Sequence, residues 1–292
     1  MRPPALGLPI LVFLLFAGVA EARDLRLATW NIAWLTLKPS GHRDLPRDVT
    51  ARRPGDFARL AAYAAQLDAD VVAIQEIDGE AAAARVFPPD HWSLHLTDER
   101  DIQRPGFAVR RGLRVIENPD LTGLDVRAGA RQSLRRGADI TVEADGQRLR
   151  LLSVHLKAGC RDDRPASADD ACGTLGEQAE VLAGWIAARQ REGAAFAIMG
   201  DFNRRLDAHD AMTRVLERSA PLTGPMFGLG NPCWARGDGR GRPFIDHILL
   251  GGAARGWLRP GSLRVLVYAE TDPGARARLS DHCPASIALA LP

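Results

Sequence analysis

The chain has 292 residues, 46% of them hydrophobic and 25% charged, with a formal net charge of +2. This balance excludes a disordered chain and suits a globular protein with a sizeable core, of one or two domains by length. A net charge this small says little about partners.

Met1 and Arg2 precede an apolar run from Leu6 to Ala20, too short for a comfortable membrane span, and Ala20, Glu21 and Ala22 fit a small-x-small cleavage pattern. The expectation is a signal peptide over 1–22 and a mature chain over 23–292, secreted or periplasmic, with an uncleaved anchor as the alternative. Export makes the four cysteines legible, because an oxidising compartment favours pairing. Of the three pairings open to them, Cys160 with Cys172 and Cys233 with Cys283 are favoured, and the lack of CxxC spacing weakens a zinc reading.

LRLATWN (25–31) alternates and ends in Asn31, which predicts the first strand. The stretch 36–54, rich in Pro, Arg and Asp, reads as a surface loop. Phe57, Leu60, Ala61, Ala64 and Leu67 recur at helical spacing behind Asp56 as a cap. A buried apolar run over 71–74 then closes on Gln75 and Glu76. An alanine-rich helix over 79–86 and strands over 92–96, 106–110 and 113–116 follow. The loop 118–136 carries Arg127, Arg131, Arg135 and Arg136, and reads equally as a solvated face or a phosphate-contacting patch. Strands over 138–143 and 148–154 form a hairpin about Asp145 and Gly146, and the second delivers His155 and Lys157.

Leu175, Gln178, Ala179, Leu182, Trp185 and Ile186 mark one face of a long amphipathic helix, which leads into AIMGDFN (197–203). Its apolar run has the length of a buried strand that Gly200 ends, and extended backbone beyond would point Asp201 and Asn203 to one face. A short helix over 209–218, a Gly/Pro-rich loop over 221–243 and strands over 244–250 and 263–268 come next. A loop over 271–278 and LSDH precede a last strand over 285–289. No repeat or interior linker interrupts this order, so 23–292 reads as one domain.

Polar residues thus stand at strand ends: Asn31, Glu76, His155, Asp201, Asn203, Asp246 and the pair Asp281 and His282. Each has a bland reading, as a turn residue, a capping acid, a core histidine or an arginine's partner; their shared context carries the functional one. Carboxylates with an amide suit Mg²⁺, which keeps several waters and takes other oxygens from phosphates, whereas zinc recruits more His or Cys. Two histidines near such acids titrate close to neutral pH.

The ordered motifs TWN, IQE, SVHL, GDFN, IDHILL and SDHCP resemble the endonuclease/exonuclease/phosphatase superfamily, in its DNase I-like secreted branch, over about 25–290. The resemblance implies an α+β fold, a four-layer αββα sandwich of two packed, mostly antiparallel sheets with helices outside and the site at one end. It also implies that Asn31 and Glu76 bind the metal, with Asp281 close to the same ion. Asp201 and Asn203 would position the scissile phosphate, the attacking water or a second ion. His282 resembles the catalytic histidine, with Asp246 orienting it. His155 resembles a second catalytic histidine, although Gln103 or Arg104 stands where its acidic partner would align. Arg136 and Lys157 would contact phosphates. The function so implied is Mg²⁺-dependent hydrolysis of DNA, or of RNA, by a monomer with no stable membrane association, Mn²⁺ being the alternative ion. Other readings are a sphingomyelinase-like or sugar-phosphate hydrolase, with PMFGLG (225–230) as its membrane loop, and an exported toxin or binding subunit.

Overall fold

In the computed structural model, residues 24–130, 134–162, 170–234, 241–272 and 274–292 are described. The expected signal peptide and Arg131 lie outside them. In chain order the elements are β1 (Leu25–Leu35), α1 (Pro54–Leu67), β2 (Val71–Ile77), α2 (Glu80–Ala83), β3 (Trp92–Leu96), β4 (Arg104–Arg110) and β5 (Arg114–Glu117). The hairpin β6 (Ala138–Ala144) and β7 (Gln147–His155), α3 (Asp170–Arg191), β8 (Ala195–Asp201) and α4 (Ala211–Glu217) follow. The chain closes with β9 (Leu222–Thr223), β10 (Gly230–Asn231), β11 (Arg242–Pro243), β12 (Asp246–Gly251), β13 (Arg264–Val265), α5 (Ala275–Arg278) and β14 (Ala285–Leu289).

Two six-stranded sheets result, in the orders β13-β14-β1-β2-β4-β3 and β5-β6-β7-β8-β12-β9. Only β1 with β2 and β7 with β8 pair in parallel; the other strand pairs of these sheets are antiparallel. Period-two alternation sorts each central strand into two faces. On β1, Leu25 and Leu27 meet Ile140, Leu151, Met199 and Ile248 between the sheets. Ala28, Trp30 and Ile32 turn outward against Phe57, Leu60 and Ala64 of α1. On the other sheet, Leu152, Phe196, Ile198 and Leu249 turn outward against Leu175, Leu182 and Ile186 of α3 and Leu216 of α4. The order is therefore helix, sheet, sheet, helices, the four-layer sandwich that the motifs imply.

Several local expectations are corrected. Asp56 is not the N-cap of α1: Arg53 holds that position, and the Asp56 carboxylate, three residues on, accepts its backbone N–H at 2.9 Å. Pro54 at the first helical position fixes φ for the start. Asp145 and Gly146 both have positive φ, the type I′ geometry of a two-residue hairpin. The strand expected over 263–268 shrinks to two residues, and α2 to four. Gly200 does not end β8, which continues to Asp201. Cys160 bonds Cys172 and Cys233 bonds Cys283, the favoured pairing. Among the described residues, no helix is long and apolar enough to cross a membrane.

Candidate active site

The alternation that fills the space between the sheets with apolar side chains turns polar toward one end. On β1, Leu25 and Leu27 lead to Thr29 and Asn31; on β7, Leu149 and Leu151 lead to Ser153 and His155; on β8, Ala197 and Met199 lead to Asp201. Thr29 donates to Gln75 at 3.5 Å and Gln75 to Ser153 at 3.2 Å, a buried polar layer between core and site. Register sets His155 beside Asp201 and Asp201 beside Asp246.

Glu76 has the wrong parity, since alternation would send it outward with Val72 and Ile74. Its φ of +63° turns it inward. Asn31 Nδ2 donates to Glu76 Oε1 at 3.0 Å and the Trp34 backbone N–H to Oε2 at 2.9 Å. Trp34 and Ala33 also have positive φ, in a bulge where the pairing of β1 with β2 shifts register between Asn31 and Leu35. Such conformations cost on the order of 1–3 kcal/mol each and persist where the surroundings over-determine them, often at active sites. Asn203 is likewise at φ +52°, so the backbone is not extended there; its N–H donates to Asp201 Oδ1 at 2.7 Å and its amide to Leu156 O at 3.1 Å. A turn, rather than a strand, brings this pair together.

His282 Nδ1 lies 2.8 Å from Asp246 Oδ2, and Nε2 lies 3.9 Å from Asp201 and from Asp281. Burial alone would lower the imidazole, but Asp246, Asp201 and Asp281 together hold it well above the usual histidine range. Burial pushes Asp201 up to about 7, with Asp246 adding to the shift and His282 opposing it. His155 goes the other way: burial, then the Arg135 and His282 charges, hold it well below 6.5, and the Gln103 backbone opposes this without reversing it. Its Nε2 faces Glu76 at 3.7 Å and Asp201 at 3.8 Å, while the buried Nδ1 makes no hydrogen bond of normal geometry.

These groups floor a cleft of about 1740 Å³. Arg127, Arg135, Lys157 and Arg161 line it, as do Arg100, Arg205, Arg242 and Arg276. Arg135 lines the cleft and donates from Nη2 to Leu156 O, whereas the Arg136 side chain turns to Asp98 O and its backbone N–H donates to the Glu99 carboxylate. The local doublet hid which arginine faces inward. Trp34 and Trp234 also line the cleft, and Trp234 stacks on Tyr268, whose hydroxyl donates to the His282 carbonyl at 2.9 Å. None of these three aromatics stands out in the sequence, because their partners lie far along the chain.

A model of the Endonuclease/Exonuclease/phosphatase family matches residues 28–282. The chain belongs to that family. No curated protein sequence matches it significantly. Its fold is similar to that of D. rerio TDP2 complexed with single-strand DNA product, at 17% identity and a TM-score of 0.59 over 92% of this chain and 99% of that one. A variant of the 3′ phosphatase NExo from Neisseria, bound to a product DNA hairpin, is similar at 16% identity and TM-score 0.59 over 91% and 100%. The human Nocturnin catalytic domain with bound sulfate is similar at 14% identity and TM-score 0.55 over 91% and 94%.

In this family member, Glu76, Asp201 and Asp246 are shielded acids with no Lys or Arg ion-pair partner among the described residues. That surplus of hard oxygen donors fits a divalent cation. Asn31 directs Nδ2 to Glu76 and Asp201, each at 3.0 Å, and its Oδ1 accepts from the Ala33 N–H. Asp281 is half exposed and 3.6 Å from Arg276. Ligand atoms of Asp201, Asp246 and His282 also fall within 4.8 Å of one another, but Nδ1 of His282 is already engaged by Asp246.

On the outward face of β12, His247 packs between Phe202 and Phe227 with Nε2 3.1 Å from Arg204 O. Burial lowers it from 6.5 to about 4, against the pull of Arg204 O and Asp246. The unfolded chain therefore binds a proton that the folded one refuses, and this contribution is whole above pH 6.5 and lost as pH falls toward 4. The loss is roughly 3 kcal/mol. Urea unfolding at pH 7 and pH 4 should show that much less acid sensitivity in His247→Leu than in the parent; equal sensitivity would refute the assignment.

Proposed function

We propose that the protein is an exported, Mg²⁺-dependent phosphodiesterase that hydrolyses DNA, with RNA as a second substrate and low sequence specificity. The observation that carries this reading is the His282–Asp246 pair beside Glu76 and Asp201, at the floor of a cleft lined by arginines. Glu76, with Asp281 nearby, would hold Mg²⁺, or Mn²⁺ in its place. When bound, the ion supplies charge neutralisation at the phosphate and the leaving oxygen. Asp246 fixes the His282 tautomer, leaving Nε2 to accept a proton from water. A cation held beside His282 would oppose the pull of Asp201 and Asp281 and so lower the imidazole toward the range where it can act as a base. Neutral His155 donates from Nε2 to a non-bridging oxygen, and Asn203 shares that task. Lys157 and Arg135 meet flanking phosphates, which are sequence-blind contacts.

Hydrolysis of DNA accords with what the TDP2 and NExo complexes hold, single-strand DNA product and a product DNA hairpin. Export accords with the paired cysteines. The sphingomyelinase-like alternative leans on 225–230, where Met226 is buried and Leu229 is exposed, a poor membrane loop. Incubation of the mature chain with closed-circular plasmid and Mg²⁺ should give nicked and then linear DNA, abolished by EDTA and by Glu76→Gln. Plasmid left intact would defeat the endonuclease reading and direct tests to linear DNA, RNA and sphingomyelin.

A further inference from the structure

Arg52 lies in the stretch that the sequence presents as a surface loop, yet its guanidinium is enclosed and donates to five backbone carbonyls. Nε reaches Arg278 O at 2.9 Å; Nη1 reaches Trp34 O at 2.8 Å; Nη2 reaches Ile32 O at 2.6 Å, Ala33 O at 2.7 Å and Leu279 O at 2.7 Å. These carbonyls belong to two segments that are distant in sequence. Ile32 leads into the left-handed pair Ala33 and Trp34, whose amides bond Asn31 and Glu76. Residues 278–279 lead directly into Ser280, Asp281 and His282, and Ser280 Oγ donates to Asn31 O at 2.7 Å.

We infer that Arg52 is a positioning residue that locks the bulge holding Glu76 to the His282 loop, setting the spacing between the acid and the histidine. The inference rests on the proposed hydrolytic reading for its rate effects, although the joining of the two segments stands without it. The chemistry is specific to arginine. Carbonyl oxygens crowded at one point need a planar fork with several donors in fixed directions, which an ammonium on a flexible stem cannot reproduce. Burial lowers the guanidinium to about 10, which leaves it charged at neutral pH. Its donors are directed at the five carbonyls and not at the reacting phosphate, so it acts through Glu76 and His282. A merely structural arginine would link core elements; this one links the two loops of the site.

The test uses the full mature chain as Arg52→Ala and Arg52→Lys, with and without millimolar guanidinium chloride, beside sodium chloride at equal ionic strength. Misplacement of about 1 Å between reacting groups costs on the order of 10²-fold. Arg52→Ala should lose about that factor in kcat with KM little changed, and regain several-fold with guanidinium but not with sodium. Arg52→Lys should stay folded and fall between. Hydrogen exchange supplies a readout independent of activity and metal. The Ala33 and Trp34 amides should lose protection in Arg52→Ala and regain it with guanidinium, while β8 amides stay protected. If the parent cleaves no phosphodiester, the hydrolytic reading fails and exchange alone decides on Arg52. Unchanged protection of Ala33 and Trp34 overturns the inference, as does a loss of activity that follows only the unfolded fraction and does not respond to guanidinium.

Discussion

Exchanging His282 for alanine should lower kcat by about three to four orders of magnitude, near the top of what a positioned acid–base group contributes. Asp246→Asn should come close to that, and the double variant should be little worse than either single one. The reason is geometric. In this relay Asp246 acts through His282, since both its carboxylate oxygens lie within 3.0 Å of Nδ1. Removing the ring leaves the acid nothing to orient, and replacing the acid by an amide lets the ring take the other tautomer, so the two act as a unit and their losses do not add. A second effect runs alongside. Asp246 is the main influence raising the imidazole, so Asp246→Asn should also lower the His282 titration, visible in the imidazole proton resonances of the metal-free protein. Steady-state rates on a small phosphodiester and an NMR pH titration measure both. Additive losses would mean that Asp246 acts on its own account, and the relay would be wrong.

What the sequence disclosed and what it hid divide along a physical line. Alternation and strand-end polarity are local, so Asn31, His155, Asp201 and Asp246 could be placed at one end of the sheets from their parity alone. Glu76 breaks that parity. Only its left-handed backbone, held by Asn31 and the Trp34 amide, brings it inward, and nothing in VVAIQEI signals such a turn. The choice between Arg135 and Arg136 depended on Asp98, far back along the chain, whose carbonyl draws the Arg136 guanidinium off. Arg52 was hidden for the same reason: a Pro- and Arg-rich stretch looks solvated until carbonyls from positions 32–34 and 278–279 converge on it. Local pattern, then, locates the groups that do chemistry. The groups that hold them in place are read from contacts between segments that lie far apart in the chain.

Gly200→Ala should be severely damaging, costing more than about 4 kcal/mol of stability, in the range reserved for strained or overpacked positions. Gly200 sits at φ +141°, and a Cβ there would lie 2.0 Å from Val154 O, 2.9 Å from Val154 N and 3.0 Å from Val154 C. All three are main-chain atoms of the neighbouring parallel strand, so no side chain can rotate away, and relief requires β7 and β8 to part at the Val154–Gly200 pair. The next pair in register is His155 with Asp201, so the same displacement would pull the neutral histidine from the buried acid. Gly146→Ala is the control. It too has positive φ, at +76°, but open space around the added methyl, and should cost only about 1 kcal/mol. Urea denaturation of both variants separates the contribution of backbone conformation from that of the close approach. If the two fell within about 1 kcal/mol of each other, φ alone would explain the glycine. The larger loss at Gly200 means that the glycine of GDFN is there because two strands must touch for His155 and Asp201 to meet.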